Sequence, residues 1–281
     1  MTDNPAFVSA EWLEQNLGKP GLKIVDGAWY LPSQNRNARA EYDAGHIPGA
    51  VFFDHDLVVE PGSKLPHALP SPENFARFAG AMGIAETDTI VVYDGFGLFS
   101  APRTRWMFRV MGAEKVFILD GGLDGWRKEG RPLTAAPTRI APNLFKAEYK
   151  TEAVVTLGQM REIVDGGSIQ IADARPAGRF NGVDPEPRPG LRGGHMPGAR
   201  NIAFSNFSKD GHIVSADQLR NILENAGLDL SKPIVTTCGS GVSAAIISLA
   251  LETVGHSQNR LYDGSWAEWG GLPDTPVVGQ E

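Results

Sequence analysis

Ile234-Val-Thr-Thr-Cys-Gly-Ser-Gly-Val-Ser-Ala-Ala-Ile-Ile-Ser-Leu-Ala-Leu-Glu-Thr-Val254 changes its pattern once, at Cys238. Before that residue, Ile234–Thr237 is a short β-branched run of the kind that forms a buried strand. After it, Val242–Val254 spaces its apolar residues as a helix does. The connection Cys238-Gly239-Ser240-Gly241 therefore joins a strand end to a helix start. Strand, tight glycine-rich turn and helix form the building unit of an α/β sheet. In such sheets ligands gather beyond the carboxyl ends of the strands.

Working outward, this stretch has a partner in the first half of the chain: Ile90-Val-Val-Tyr-Asp-Gly-Phe-Gly-Leu-Phe-Ser-Ala101. Two further blocks recur in the same order. GHIPGA at Gly45 returns as GHMPGA at Gly194, and DGGLDGW at Asp120 returns as DGSWAEW at Asp263. The three separations are 149, 144 and 143 residues, a drift that loop insertions account for. So long a period means two duplicated domains. The stretch from Pro132 to Pro142 is rich in proline and small residues and is expected to be an exposed linker. The boundary is therefore placed near 132–152, giving domains over 1–140 and 153–281.

Each half alternates strands with helices. Strands are predicted at Lys23–Asp26, Thr89–Tyr93, Val116–Leu119, Gln170–Asp173, Pro233–Thr237 and Arg260–Tyr262. Thr156-Leu-Gly-Gln159 and Ser215-Ala-Asp-Gln218 carry the capping-box pattern, and Ser71-Pro72 sets a cap before a first-turn proline. The fold class is α/β, two tandem domains, each a mostly parallel sheet with helices on both faces.

Composition narrows the chemistry. A formal net charge of -7 gives no electrostatic reason to bind nucleic acid or an acidic membrane surface. No apolar run approaches the ~18 residues of a membrane helix, and the amino terminus lacks a signal-peptide pattern, so a cytoplasmic protein is expected. One cysteine in 281 residues excludes internal disulfides and CxxC-type zinc sites, and no HExxH pattern appears; neither metal nor cofactor is expected.

The lone thiol is thus the candidate reactive group. Gly239 and Gly241 let the backbone curl into a nest of amides at a helix start, which favours a thiolate or persulfide anion. After Cys238 no Lys or Arg occurs until Arg260, so charge stabilisation within the loop must come from backbone amides, including those of Gly239, Gly241 and Val242.

CGSGVSA resembles the active-site loop of the mercaptopyruvate sulfurtransferases, a family of the rhodanese superfamily, with Ser243 where the family usually has Thr. GHIPGA, SAPRTRWMFR, LDGGLDGW, GRFNGVDPEPRPG and YDGSWAEW resemble further blocks of that family, spanning Ile24 to Trp269. The resemblance implies two tandem rhodanese-like domains. It implies an enzyme that moves sulfur from 3-mercaptopyruvate to Cys238 as a persulfide, releases pyruvate, and passes the sulfur to a small thiol, a thioredoxin or cyanide. Asp94 aligns with Cys238, so the first domain is expected to be catalytically silent. Its loop is also expected to lack the substrate arginines, and its GFGLFS is only a weak match to a dinucleotide-binding GxGxxG.

The same resemblance implies roles for other residues. Arg179 and Arg188 occupy positions that hold the keto-acid head, since arginine's planar fork suits a carboxylate. Read from residues alone, both are better explained as surface arginines covering their acidic neighbours Asp184 and Glu186. Asp56, His67 and Ser240 match a hydrogen-bonded triad, Ser240 acting as donor or relay. Because Asp56 and His67 come from the first half, an interdomain site is expected. His46 and His195, shared by both halves, are read as structural, and Trp106, Trp126, Trp266 and Trp269 as core. Three rivals are open to test. A thiosulfate:cyanide sulfurtransferase shares the nucleophile but carries basic residues beside it. A phosphatase of Cys-(x)5-Arg type is opposed by Ala244 at the sixth position. The third is a non-enzymatic persulfide carrier.

Overall fold

A computed structural model describes residues 4–279. The chain divides into two compact units. Unit 1 comprises the residues through Pro61, Leu69–Lys150 and Ser208–Ile213; unit 2 comprises Gly62–Ala68, Thr151–Phe207 and the residues from Val214.

Unit 1 contains β1 (Phe7–Val8), α1 (Ala10–Asn16), β2 (Leu22–Asp26), α2 (Ala38–Ala44), β3 (Ala50–Phe52), α3 (Pro72–Ala81), β4 (Thr89–Tyr93), α4 (Ala101–Val110), β5 (Val116–Leu119) and α5 (Gly122–Lys128). Its five strands are all parallel, in the order β1-β5-β4-β2-β3. That order steps one way across the sheet after β1 and β2 and the other way after β3 and β4. Right-handed crossovers then put α1 and α2 on one face and α3 and α4 on the other. The packing agrees. Leu13, Tyr42 and Trp126 join Ile24, Val91 and Tyr93 in one cluster. Phe75, Phe108 and Phe145 meet edge to face or tilted on the opposite side, at centroid distances of 5.1–6.1 Å.

Unit 2 repeats the plan with β6 (Val154–Val155), α6 (Leu157–Gly166), β7 (Gln170–Asp173), α7 (Ala177–Phe180), β8 (Ala199–Asn201), α8 (Ala216–Asn225), β11 (Ile234–Thr237), α9 (Ala244–Thr253), β12 (Asn259–Tyr262) and α10 (Ser265–Trp269). The strand order β6-β12-β11-β7-β8 is the same topology, again all parallel. Two short strands, β9 (Ser208–Lys209) and β10 (His212–Ile213), form an antiparallel hairpin that belongs to unit 1. Asp210 and Gly211 turn it with positive φ, as a two-residue hairpin turn requires.

The helix starts follow the local chemistry. Thr156 and Ser215 form complete capping boxes with Gln159 and Gln218, and Ser71 caps α3 ahead of Pro72. The proline-rich stretch contains no helix, yet it is no free tether. Thr134 pairs with His46, Asn143 donates to Gly80 O, Lys150 donates to Val110 O, and the Phe145 ring is buried.

The two Gly-His-x-Pro-Gly histidines do the same job in each unit. The His46 Nδ1–H donates to Tyr42 O at 2.8 Å while its ring stacks on Tyr42; the His195 Nδ1–H donates to Phe180 O at 2.9 Å while its ring stacks on Phe180. A carbonyl can only accept, so this fixes the proton on Nδ1. Trp126, Trp266 and Trp269 are fully buried. Trp106 is not: it is half-buried, with the Arg103 guanidinium 4.6 Å from its ring.

Candidate functional site

Cys238 follows the last residue of β11, is buried, and is the chain's one free thiol. Its backbone is held by the start of α10. Ser265 Oγ accepts from the Cys238 N–H at 3.2 Å, Trp266 N–H donates to Cys238 O at 2.9 Å, and Ala267 N–H donates to Gly239 O at 2.8 Å. Ser265 sits at φ 49°, a left-handed conformation costly for a residue with a Cβ. Its hydroxyl compensates by also donating to Tyr262 O at 2.9 Å. The equivalent residue in unit 1 is Gly122, at φ 57°, which adopts this conformation freely and has no hydroxyl to give.

The loop then runs through Gly241 at φ 81° into α9 at Ala244. Ser240 Oγ lies 2.9 Å from His67 Nδ1, and both side chains are buried. His67 takes positive φ and is part of unit 2 despite its place in the first half of the sequence. Asp56 belongs to unit 1, where it is exposed and accepts from the Trp29 indole at 3.2 Å. Thus unit 2 joins two members of the expected triad, and the third is placed in unit 1.

Arg179, in α7, reaches the sulfur loop. A Cβ added at Gly239 would lie 2.8 Å from Arg179 Nη2 and 3.8 Å from Nη1 and Cζ, so the glycine makes room for the guanidinium. The pairing with an acidic neighbour is also present. Glu186 Oε2 accepts from Arg179 Nη2 and, at 3.2 Å, from Nε. Its partner is Glu186, not Asp184. Arg188 is half-buried in the loop after α7 that also carries Glu186.

Sequence reasoning missed Arg175. Its guanidinium is buried, donates to Asp173 from Nε and Nη2, to Glu186 Oε1 at 2.8 Å and to Gly194 O at 2.9 Å, and lies 4.2 Å from the Trp266 ring. These partners raise its pKa above the ordinary arginine value despite burial, which by itself acts the other way. No local sequence signal marks a buried arginine.

Unit 1 shows what the duplicated loop does without a thiol. The Asp94 carboxylate accepts from four backbone amides: Phe96 at 3.3 Å, Leu98 at 3.2 Å, and Ser100 and Ala101 at 2.8 Å. The loop is an anion nest filled by its own side chain. Those amides therefore have no dinucleotide phosphate to cradle. The first loop also has an arginine of its own beside it. Arg36 Nη1 donates to Gly95 O at 3.1 Å and pairs with Glu41 at 2.6 Å.

Among the described residues no group of three or more His, Cys, Asp or Glu is arranged to hold a metal ion, and no helix is long and apolar enough to cross a membrane.

Comparison with known proteins gives one consistent answer. The family model of the rhodanese-like domain matches twice, over residues 9–129 and 156–272. The 3-mercaptopyruvate sulfurtransferase of Escherichia coli K12 is 43% identical over 272 residues, covering 96% of this chain and 97% of that protein. The Arabidopsis thaliana thiosulfate/3-mercaptopyruvate sulfurtransferase 1, mitochondrial, is 39% identical, covering 98% of this chain and 78% of that one. The crystal structure of SseA, a 3-mercaptopyruvate sulfurtransferase from Escherichia coli, superposes with a TM-score of 0.86 at 41% identity, covering 93% of this chain and 98% of that one. With two matches that together span most of its length, the chain belongs to the rhodanese-like family, as a tandem member.

Proposed function

We propose that this protein is a 3-mercaptopyruvate sulfurtransferase working by two successive displacements at Cys238. The Cys238 thiolate attacks the sulfur of mercaptopyruvate and a S–S bond forms. The C–S bond breaks, its electron pair leaves with carbon as the enolate of pyruvate, and that enolate takes a proton. Cys238 now carries a persulfide. An acceptor thiolate then attacks the outer sulfur, forms its own persulfide and frees the Cys238 thiolate; cyanide in the same role leaves as thiocyanate. Small thiols or a reduced thioredoxin fit as acceptors, and the cytoplasm, which keeps a lone thiol reduced, is the fitting compartment.

The side chains divide the work. The backbone of Gly239, Gly241 and Val242, at the start of α9, stabilises the sulfur anion, as the four amides around Asp94 do for a carboxylate in unit 1. Arg179 and Arg188 hold the carboxylate and ketone of the keto acid and stabilise the enolate. The hydrogen-bonded pair Ser240–His67 relays the proton.

One observation carries this reading: a thiol at a parallel-strand end, with an arginine guanidinium against the next residue and no basic side chain in the loop itself. Thiosulfate, a compact dianion, needs positive charge beside the sulfur. Mercaptopyruvate carries its charge at the end away from its sulfur, where arginines outside the loop suit it. Each charge-assisted hydrogen bond contributes about 1.5–3 kcal/mol, and about 1.4 kcal/mol is tenfold in rate. A preference for mercaptopyruvate of at least about two orders of magnitude in kcat/KM is expected from steady-state rates with both donors. Preference for thiosulfate would overturn the donor assignment.

A further inference from the structure

We propose that Glu186 is the positioning residue of the donor site: by occupying the Nε/Nη2 side of Arg179 it turns the Nη1/Nη2 end of that guanidinium over the sulfur loop. The inference rests on Arg179 holding the donor carboxylate, as proposed above. A guanidinium has two edges that can bind a carboxylate through two parallel N–H bonds, the Nε/Nη2 side and the Nη1/Nη2 end. Glu186 Oε2 takes the first through both of its donors. The second is the edge nearest Gly239. Without Glu186, Arg179 is a flexible cation free to offer either edge in any direction. With it, one edge remains and its direction is set.

Glu186 can do this because it is itself fixed. Its side chain is 1% exposed, as are those of Arg175 and Asp173, while Arg179 is 16% exposed and so keeps access to a ligand. Arg175 anchors the other oxygen of Glu186 and is locked in turn by Asp173, by Gly194 O and by the Trp266 ring. Trp266 is the residue whose N–H holds Cys238 O. One buried network therefore ties the carboxylate-holding arginine and the nucleophile's backbone to a common support. Asp173, Arg175, Glu186 and Arg179 also sum to no net charge. Arg179 accordingly offers directed hydrogen bonds more than uncompensated charge, and this favours a planar carboxylate over a compact dianion.

The test is Glu186→Gln, which keeps the size and one acceptor, with Glu186→Asp and Arg179→Gly beside it. Two alkylating probes read the carboxylate subsite directly. Iodoacetate and iodoacetamide both form a thioether at Cys238 with loss of iodide, but only the first carries a carboxylate. In Glu186→Gln the ratio of iodoacetate to iodoacetamide rates should fall about tenfold, with iodoacetamide itself within about threefold of the unaltered protein. KM for mercaptopyruvate should rise by about tenfold or more while kcat changes less, and Glu186→Asp should recover part of the loss. If Arg179→Gly lowers the ratio and Glu186→Gln does not, the positioning role is overturned and the arginine assignment stands. If neither changes it, the carboxylate subsite itself is wrong. Equal loss of both alkylation rates in Glu186→Gln means general loosening of the loop and also overturns the proposal.

Discussion

Asp26 and Asp173 close equivalent strands, β2 and β7, and each accepts from the amide two residues on, at 3.0 and 2.9 Å. In unit 2 that second residue is Arg175, which neutralises Asp173; in unit 1 it is Ala28, and Asp26 is 2% exposed. Burial pushes the Asp26 carboxyl up to about 7, and the nearby Asp94 adds to the rise. An unfolded aspartate titrates near 3.8. Between those two values the folded protein holds a proton that the unfolded chain has released. Stability is therefore intact below pH 4, is lost progressively as the pH rises to about 7, and is level above that. About three pH units at about 1.4 kcal/mol each make a loss of about 4 kcal/mol. Asp26→Asn copies the protonated carboxyl and cannot ionise. It should match the unaltered protein below pH 4, and its advantage should widen by about 3 kcal/mol between pH 5 and pH 8.5, roughly 10 °C in Tm for a domain of this size. Thermal unfolding of both proteins from pH 5 to 9 measures this, and hydrogen exchange at β2 and β4 amides assigns the change to unit 1. Parallel curves for the two proteins across that range would refute the argument that burial of Asp26 outweighs its hydrogen bonds to Ala28 and Tyr93.

Three further substitutions test the sulfur site. Cys238→Ser should fold with an unchanged Tm yet gain no 32 Da mass on incubation with mercaptopyruvate; turnover by this variant would end the persulfide mechanism. Gly239→Ala puts a methyl 2.8 Å from Arg179 Nη2, the movable end of a long side chain. It should therefore cost little stability but raise KM for mercaptopyruvate about tenfold or more, which steady-state kinetics would show. Ser240→Ala removes the partner of His67 Nδ1 and should lower kcat by about 10²-fold with KM little changed; unaltered kcat would remove the relay role.

The residues around Cys238 were legible because they obey local rules. A β-branched run, two glycines and an apolar helix place the thiol at a strand end whatever the rest of the chain does. The same holds for Thr156, Ser215 and Ser71, whose caps depend on residues three positions away at most. Edge strands β1, β3, β6 and β8 were not foreseen, since two or three residues carry no readable period. The β9–β10 hairpin was missed although Asp210-Gly211 is a strong two-residue turn signal. The Asp173–Arg175–Glu186–Arg179 network was beyond reach for a different reason. Glu186 could be seen as a partner for arginine, but linking three ion pairs through buried carboxylates is a product of tertiary packing, with no periodic trace in the sequence.

The duplicated loop of unit 1 allows the amide nest to be tested apart from the rest of the site. Phe96, Leu98, Ser100 and Ala101 aim their N–H groups at the Asp94 carboxylate, and Arg36 stands beside Gly95 much as Arg179 stands beside Gly239. What unit 1 lacks is a counterpart of Ser240: the aligned residue is Phe96, an apolar side chain that cannot relay a proton. Consider Asp94→Cys in a Cys238→Ser background. The sulfur replaces Asp94 Cγ and lies one bond short of the carboxylate oxygens, but its larger radius partly restores contact with the amides. Four donors and a helix start favour its ionised form, so this thiol should titrate below the ordinary value of about 8.5. Its alkylation by iodoacetamide should accordingly level off at lower pH than that of a free thiol. Sulfur transfer from mercaptopyruvate should still be absent, because stabilising an anion does not deliver a proton to the departing enolate. A depressed thiol pKa without turnover would separate the two requirements. Turnover in this variant would show that nest and arginine suffice, and the Ser240–His67 pair would lose its place in the mechanism.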